Sequence, residues 1–182
     1  MSEPQRPESP QREFVRVQGR DIFFYCSVDE DSVLELVTAL KKVEHDLLRA
    51  GMWDPIPTIT LHIKSDGGDL YSGLAAFDFL RGMRAHVHTY AEGCVASAAT
   101  LIFLGGDTRT VCPNAYILIH QLSNEFWGKY EELKDDMRQC ERLMTHLKRI
   151  YLRETNIPEK KLEALLQRDI YLSARKCRKY KI

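Results

Sequence analysis

An excess of either charge is missing from this sequence. Its 182 residues carry 26 Lys+Arg against 26 Asp+Glu, so the formal net charge is zero. A nucleic-acid reader usually displays a basic excess, which counts against that class, and little repulsion opposes self-association. Long apolar runs are missing too. The longest, 95–104, is interrupted by Ser97 and Thr100 and falls far short of the ~20 residues that cross a bilayer. No CxxC pair occurs among the five cysteines, Cys26, Cys94, Cys112, Cys140 and Cys177. An odd, scattered set argues against a disulfide framework or a cysteine zinc site and favours a reducing, cytoplasmic-type compartment. Residues 1–12 are rich in Pro, Glu, Gln and Arg and lack the apolar stretch of a secretory signal. There is no internal repeat, no GxxxxGK[ST] phosphate loop and no GxSxG elbow.

What remains is a chain that is 44% hydrophobic and 29% charged. At this length it supports a core without staples. Residues 1–20 read as a flexible arm and 21–182 as one domain. Short β-branched and aromatic runs predict strands over 22–26, 58–63, 87–91 and 116–119. Apolar residues at helical spacing predict helices over 29–50, 70–83 and 97–104, a long charged one over 129–154, another over 158–166, and a short last one capped by Ser173. Asp29 or Asp31 is the expected N-cap of the first. Strands alternating with helices imply an α/β fold whose sheet is largely parallel and covered on both faces.

Four segments carry side chains suited to chemistry. Ser65-Asp66-Gly67-Gly68 follows a strand and precedes a helix. Adjacent glycines there can turn outward N–H groups that hold an oxyanion, although a tight turn is the commoner use. Ser97 lies among small residues, 93–100, where a strand meets a buried helix. A nucleophile at such a bend is exposed near amides carrying partial positive charge; the ordinary alternative is an N-cap. His120 ends an apolar strand, the place where α/β scaffolds present catalytic groups, and an imidazole there suits a general base. Asp169 lies between a helix and a short β-like segment, where it can orient a histidine or simply form a turn. His86 and His88 share one strand face, a spacing open to zinc but more often a solvated pair.

The order Ser97, His120, Asp169, together with the segments around them, resembles the Clp protease (ClpP) family. Ser65-Asp66-Gly67-Gly68 is similar to its S-P-G-G turn, 93–99 to G-x-A-A-S-M-G/A, 113–121 to P-N-x-x-x-x-I-H-Q, and 168–174 to R-D-x-x-L/F-S-A. Asp66 and Ala98 stand where the family has proline and methionine. The resemblance implies a ClpP/crotonase-like α/β fold with repeated β-β-α units and a protruding handle helix over about 129–154. It also implies a serine endopeptidase in which Ser97 is the nucleophile, His120 the base and Asp169 its orienter. Gly68 and Ala98 would supply the oxyanion-hole amides. Gly67 and the segment Leu122, Ser123, Asn124, Glu125, Phe126 and Trp127 would bind substrate, the segment acting as a strand that pairs with an extended peptide. No metal or cofactor of its own is implied. The implied partners are further copies in stacked seven-membered rings, a ring-shaped AAA+ unfoldase that alone uses ATP, and unfolded polypeptide; nucleic acid and membrane are not. Three alternatives stand beside this reading. They are a catalytically weak structural subunit of a mixed complex, a phage capsid-maturation protease of the same fold, and an acyl-CoA enzyme of crotonase architecture that uses the paired amides on an enolate.

Overall fold

The computed structural model describes residues 14–182. The chain opens with an antiparallel pair, β1 (Val15–Gln18) and β2 (Asp21–Phe24). The predicted arm over 1–20 is corrected at this end: Val15 is buried against the core and β1 is a sheet strand. The earlier arm residues lie outside the described ones. Helix α1 (Glu30–Arg49) starts at Asp29, where a reciprocal cap fixes it. The Ser32 N–H donates to the Asp29 carboxylate (2.8 Å), and the Asp29 N–H donates to Ser32 Oγ (3.0 Å). Its apolar stripe, Val33, Leu36, Leu40 and Val43, is buried.

The sheet continues through β3 (Ile59–Ser65), β4 (Val87–Ala96), β5 (Thr108–Val111), β6 (Tyr116–Leu118) and β7 (Tyr171–Ser173). The strand order is β1-β2-β3-β4-β6-β7, with β5 also on β4. Pairings from β2 to β6 are parallel, and β1 and β7 are antiparallel at the two edges. Helices α2 (Leu70–Arg81) and α3 (Ala99–Gly105) follow β3 and β4, so β-α alternation builds the centre. β4 is longer than its sequence suggests. Its first half pairs β5, its second half pairs β6, and Gly93 lies between them at φ +58°. The strand β5 lacks an apolar run, and its β-branched Thr108, Thr110 and Val111 are a weak strand signal.

Side-chain alternation gives the sheet two unlike faces. Ile59, Leu61 and Ile63 are fully buried, whereas His62 and its row of neighbours are only half-buried. Cover on both faces, as the sequence suggested, is therefore corrected to cover on one. The other face shields itself with rings: Phe23 stacks on His62 at 4.6 Å and His62 on Tyr90 at 5.4 Å between centroids. There the Glu92 carboxylate accepts from the Tyr25 hydroxyl and from His62. Partial burial would raise that carboxyl, but the two hydrogen bonds and the neighbouring imidazole hold it below its ordinary range. His86 and His88 bond to Thr108 and Thr110 across the β4–β5 pair. Among the described residues, no cluster of three or more His, Cys, Asp and Glu has metal-site geometry.

Helix α4 (Tyr130–Glu154) is the long charged helix, α5 (Glu159–Leu166) packs at its end, and α6 (Ala174–Tyr180) follows β7. The base of α4 is anchored by the buried Glu154. Its carboxylate pairs with Arg81 (3.3 Å) and Arg153 (2.7 Å), and its carbonyl accepts from Arg109 (2.9 Å). A buried charge met from several elements would be left uncompensated if those partners were removed. The described cysteines are all free, and among the described residues no helix is long and apolar enough to cross a membrane.

Candidate active site

Ser97 is the hinge between β4 and α3, and it holds a left-handed backbone at φ +54°. Such a conformation costs a non-glycine residue about 1–3 kcal/mol and persists only where neighbours fix it. They do so from both sides. The Ser97 N–H donates to the Leu118 carbonyl (2.9 Å), and its own carbonyl accepts from the Thr100 N–H (2.9 Å) and the Thr100 hydroxyl (2.7 Å). That hydroxyl has one hydrogen, so it accepts from Tyr151, whose phenol lies 2.6 Å away on α4. A relay thus runs from α4 to the Ser97 backbone.

The glycine turn lies directly against this bend. A Cβ at Gly67 would meet the Ser97 Cβ at 2.6 Å, and one at Gly68 would meet the Val28 carbonyl oxygen at 2.1 Å. Both positions have positive φ, +96° and +149°. The flanking groups fasten the turn: the Val28 N–H donates to the Gly67 carbonyl (2.9 Å) and the Asp69 N–H to the Val28 carbonyl (2.7 Å). In this parallel bridge the Gly68 amide is not the group bonded to Val28. Asp69 then caps α2 through the Ser72 N–H (2.6 Å).

His120 and Asp169 meet through strand register. β6 and β7 pair Tyr116 with Ser173 and Leu118 with Tyr171. Continuing that register past the ladder sets His120 opposite Asp169. The two are hydrogen-bonded, Nδ1 to Oδ1 at 3.0 Å. An ionised carboxylate only accepts, so the proton belongs on Nδ1 and the Nε2 lone pair of the neutral ring is left as the base. The bond from the Gln121 N–H to the Leu166 carbonyl (2.8 Å) holds the chain just beyond the ring. The His120 side chain is 23% exposed and that of Asp169 is 74% exposed. Solvent screens the carboxylate's charge, and its contribution within one chain is orientation.

Ser97, Ala98, Gly68 and His120 line one cavity of about 360 Å³, together with Leu122, Ser123, Asn124 and Phe126. The other expected substrate residues are elsewhere. Gly67 lies beneath Ser97, Glu125 is outside the lining, and Trp127 is fully exposed. Segment 122–128 forms no ladder with another strand among the described residues. The Leu122 N–H faces Met144 Sδ at 3.3 Å instead. The sequence reading passes over the far wall, built by Leu101 of α3 and by Asp136, Cys140, Leu143, Leu147 and Tyr151 of α4. Their spacing of three and four along α4 is one helical face, a signal that the many charges of that helix conceal.

Residues 14–182 match the family described as Clp protease. The chain belongs to the Clp protease family. It is 32% identical over 136 residues to an "ATP-dependent Clp protease proteolytic subunit" of Deinococcus radiodurans, covering 74% of this chain and 67% of that protein. Its fold matches that of a ClpP1 point mutant from Listeria monocytogenes with a TM-score of 0.76 at 21% identity, over 88% of this chain and 86% of that one. The mixed α/β architecture expected from the sequence is the one observed, and family membership makes a serine peptidase the coarse assignment.

Proposed function

We propose that the chain is a serine endopeptidase subunit of the Clp type that cuts unfolded polypeptide into short peptides inside a barrel-shaped oligomer. The observation that carries this reading is the hydrogen-bonded His120–Asp169 pair, with His120 sharing one cavity with Ser97 at its strained bend. In the proposed reaction, Ser97 Oγ attacks the substrate carbonyl and its proton passes to His120 Nε2. The carbonyl oxygen becomes an oxyanion, and the Gly68 and Ala98 amides donate to it. As the C–N bond breaks, His120 returns that proton to the leaving amine, leaving an acyl ester on Ser97. Water then attacks the ester, again with His120 as base, and frees the serine. The chemistry needs no cofactor.

The remaining parts of the reading have separate support. Segment 122–128 borders the cavity and has no ladder partner among the described residues, as an edge that accepts an extended peptide requires. The apolar side chains Trp127, Tyr130 and Met137 are exposed at the start of α4, which suits burial between rings. The Deinococcus relative's description, an ATP-dependent proteolytic subunit, supports a separate ATPase partner, and the free cysteines suit a cytoplasmic or similarly reducing compartment.

The test is labelling by an alkyl fluorophosphonate together with turnover of fluorogenic peptides. Wild type labels once per chain and turns peptides over. Ser97→Ala abolishes both, and His120→Ala lowers turnover at least about a thousandfold. Labelling that survives in Ser97→Ala refutes the assignment. A second reading, a structural subunit assembling with an active relative, draws on the exposure of Asp169 and the unpaired 122–128 segment. It predicts rings without labelling.

A further inference from the structure

The cavity beside Ser97 has a chemistry of its own. Its floor is apolar, made by Leu101, Leu143 and Leu147, and the Tyr151 phenol is already committed to Thr100. The titratable side chains in the lining include Asp69, Asp136 and His120, and among the described residues no lysine or arginine lines it. The Asp69 carboxylate is taken up in capping α2, and His120 is bonded to Asp169. Asp136 is different. It is half-buried, and among the described residues no hydrogen bond or ion pair reaches its carboxylate. The cations nearest in sequence are engaged elsewhere, Lys134 with Glu131 (3.1 Å) and Arg138 with Asp135 (2.8 Å). A partly desolvated carboxylate above an apolar floor is best satisfied by a long apolar stem ending in a cation.

We propose that Asp136 is a specificity-determining residue, and that this cavity receives a lysine or arginine side chain of the substrate on the acyl side of the scissile bond. The inference rests on the peptidase reading above and names its substrate class. An aliphatic side chain fills the floor but leaves Asp136 desolvated without a partner. An acidic one adds like-charge repulsion. The stem of a lysine or arginine lies along Leu143 and Leu147 while its head meets the carboxylate.

Two peptidyl phosphonates test this, identical except for lysine or leucine beside the phosphorus, with the rate of Ser97 labelling as the readout. In wild type the lysine reagent reacts about tenfold faster or more, the effect of one partly screened ion pair. Asp136→Asn lowers the lysine-to-leucine ratio by about the same factor, and Asp136→Lys inverts the preference. Asp135→Asn, one residue along and facing solvent, leaves the ratio unchanged, and a thermal melt of each variant checks its fold. A wild-type ratio near one, or a ratio that Asp136→Asn does not move, overturns the proposal while the peptidase reading stands. If the small alkyl fluorophosphonate fails to label wild type, the peptidase reading itself has failed and this one with it.

Discussion

The site is built on three backbone positions as much as on its reactive side chains. Ser97 sits at φ +54°, Gly67 lets the turn approach it, and Gly68 passes under Val28 with no room for a methyl group. Two kinds of glycine can be separated experimentally. Gly19 also has positive φ (+63°), but nothing lies within 4 Å of its missing Cβ. Gly19→Ala meets only the backbone strain, about 1 kcal/mol. Gly68→Ala drives its Cβ to within 2.1 Å of a backbone oxygen, and the bridge to Val28 must break. We expect a loss of about 2–4 kcal/mol in urea unfolding together with loss of Ser97 labelling. Equal, small effects at the two positions would show that the turn tolerates movement and that its close approach is not required.

Among the elements, α4 supplies the far wall of the cavity and also supports the nucleophile's bend. Tyr151 donates to Thr100, which donates to the Ser97 carbonyl. The phenol is fully buried, and burial pushes its titration from 10.0 up to about 12. Because the folded value lies above the unfolded one, the neutral phenol's stabilisation is complete below pH 10 and is lost as pH rises toward 12. A shift of that size corresponds to about 2–3 kcal/mol. Cys177, raised by burial to about 11, steepens the same alkaline slope. Chemical denaturation at about pH 9 and about pH 11 therefore gives a fall in stability for wild type that is smaller in Tyr151→Phe. Identical pH slopes would place the phenol in water in solution and remove the relay.

At the scale of the whole molecule, one chain leaves several surfaces unfinished. The sheet has an open face, Asp169 is exposed, segment 122–128 lacks a partner strand among the described residues, and Trp127 is wholly uncovered next to the exposed Tyr130. Zero net charge gives little electrostatic opposition to association. The proposed stacked rings account for the uncovered apolar end of α4. Fourteen copies of the 21.1 kDa chain predict a native particle of about 295 kDa by light scattering. Trp127→Ala, which removes apolar area at the proposed ring–ring contact, shifts that mass toward half. A wild-type protein that runs as a monomer at micromolar concentration contradicts the assembly.

The sequence alone determined the elements and the types of chemical group. Periodicity placed α1, α2, α4 and α5 to within a few residues, because apolar stripes and caps are local features. The small-residue segment around Ser97, the double glycine and the His120 strand end were legible for the same reason. The polar strand β5 and the strand in the supposed arm were not, since each is only four residues long and is held by a neighbouring strand, and the brief Val15-Arg16-Val17-Gln18 alternation adjoins a polar, Pro-rich stretch. What tertiary structure decided was meeting and direction. The β6–β7 register joins His120 to Asp169, the Val28 bridge leaves the Gly68 amide free of that pairing, and the fold of α4 over α3 turns Asp136 into the cavity. These are long-range pairings, fixed by strand register and core packing between segments far apart in sequence, and no local pattern encodes them.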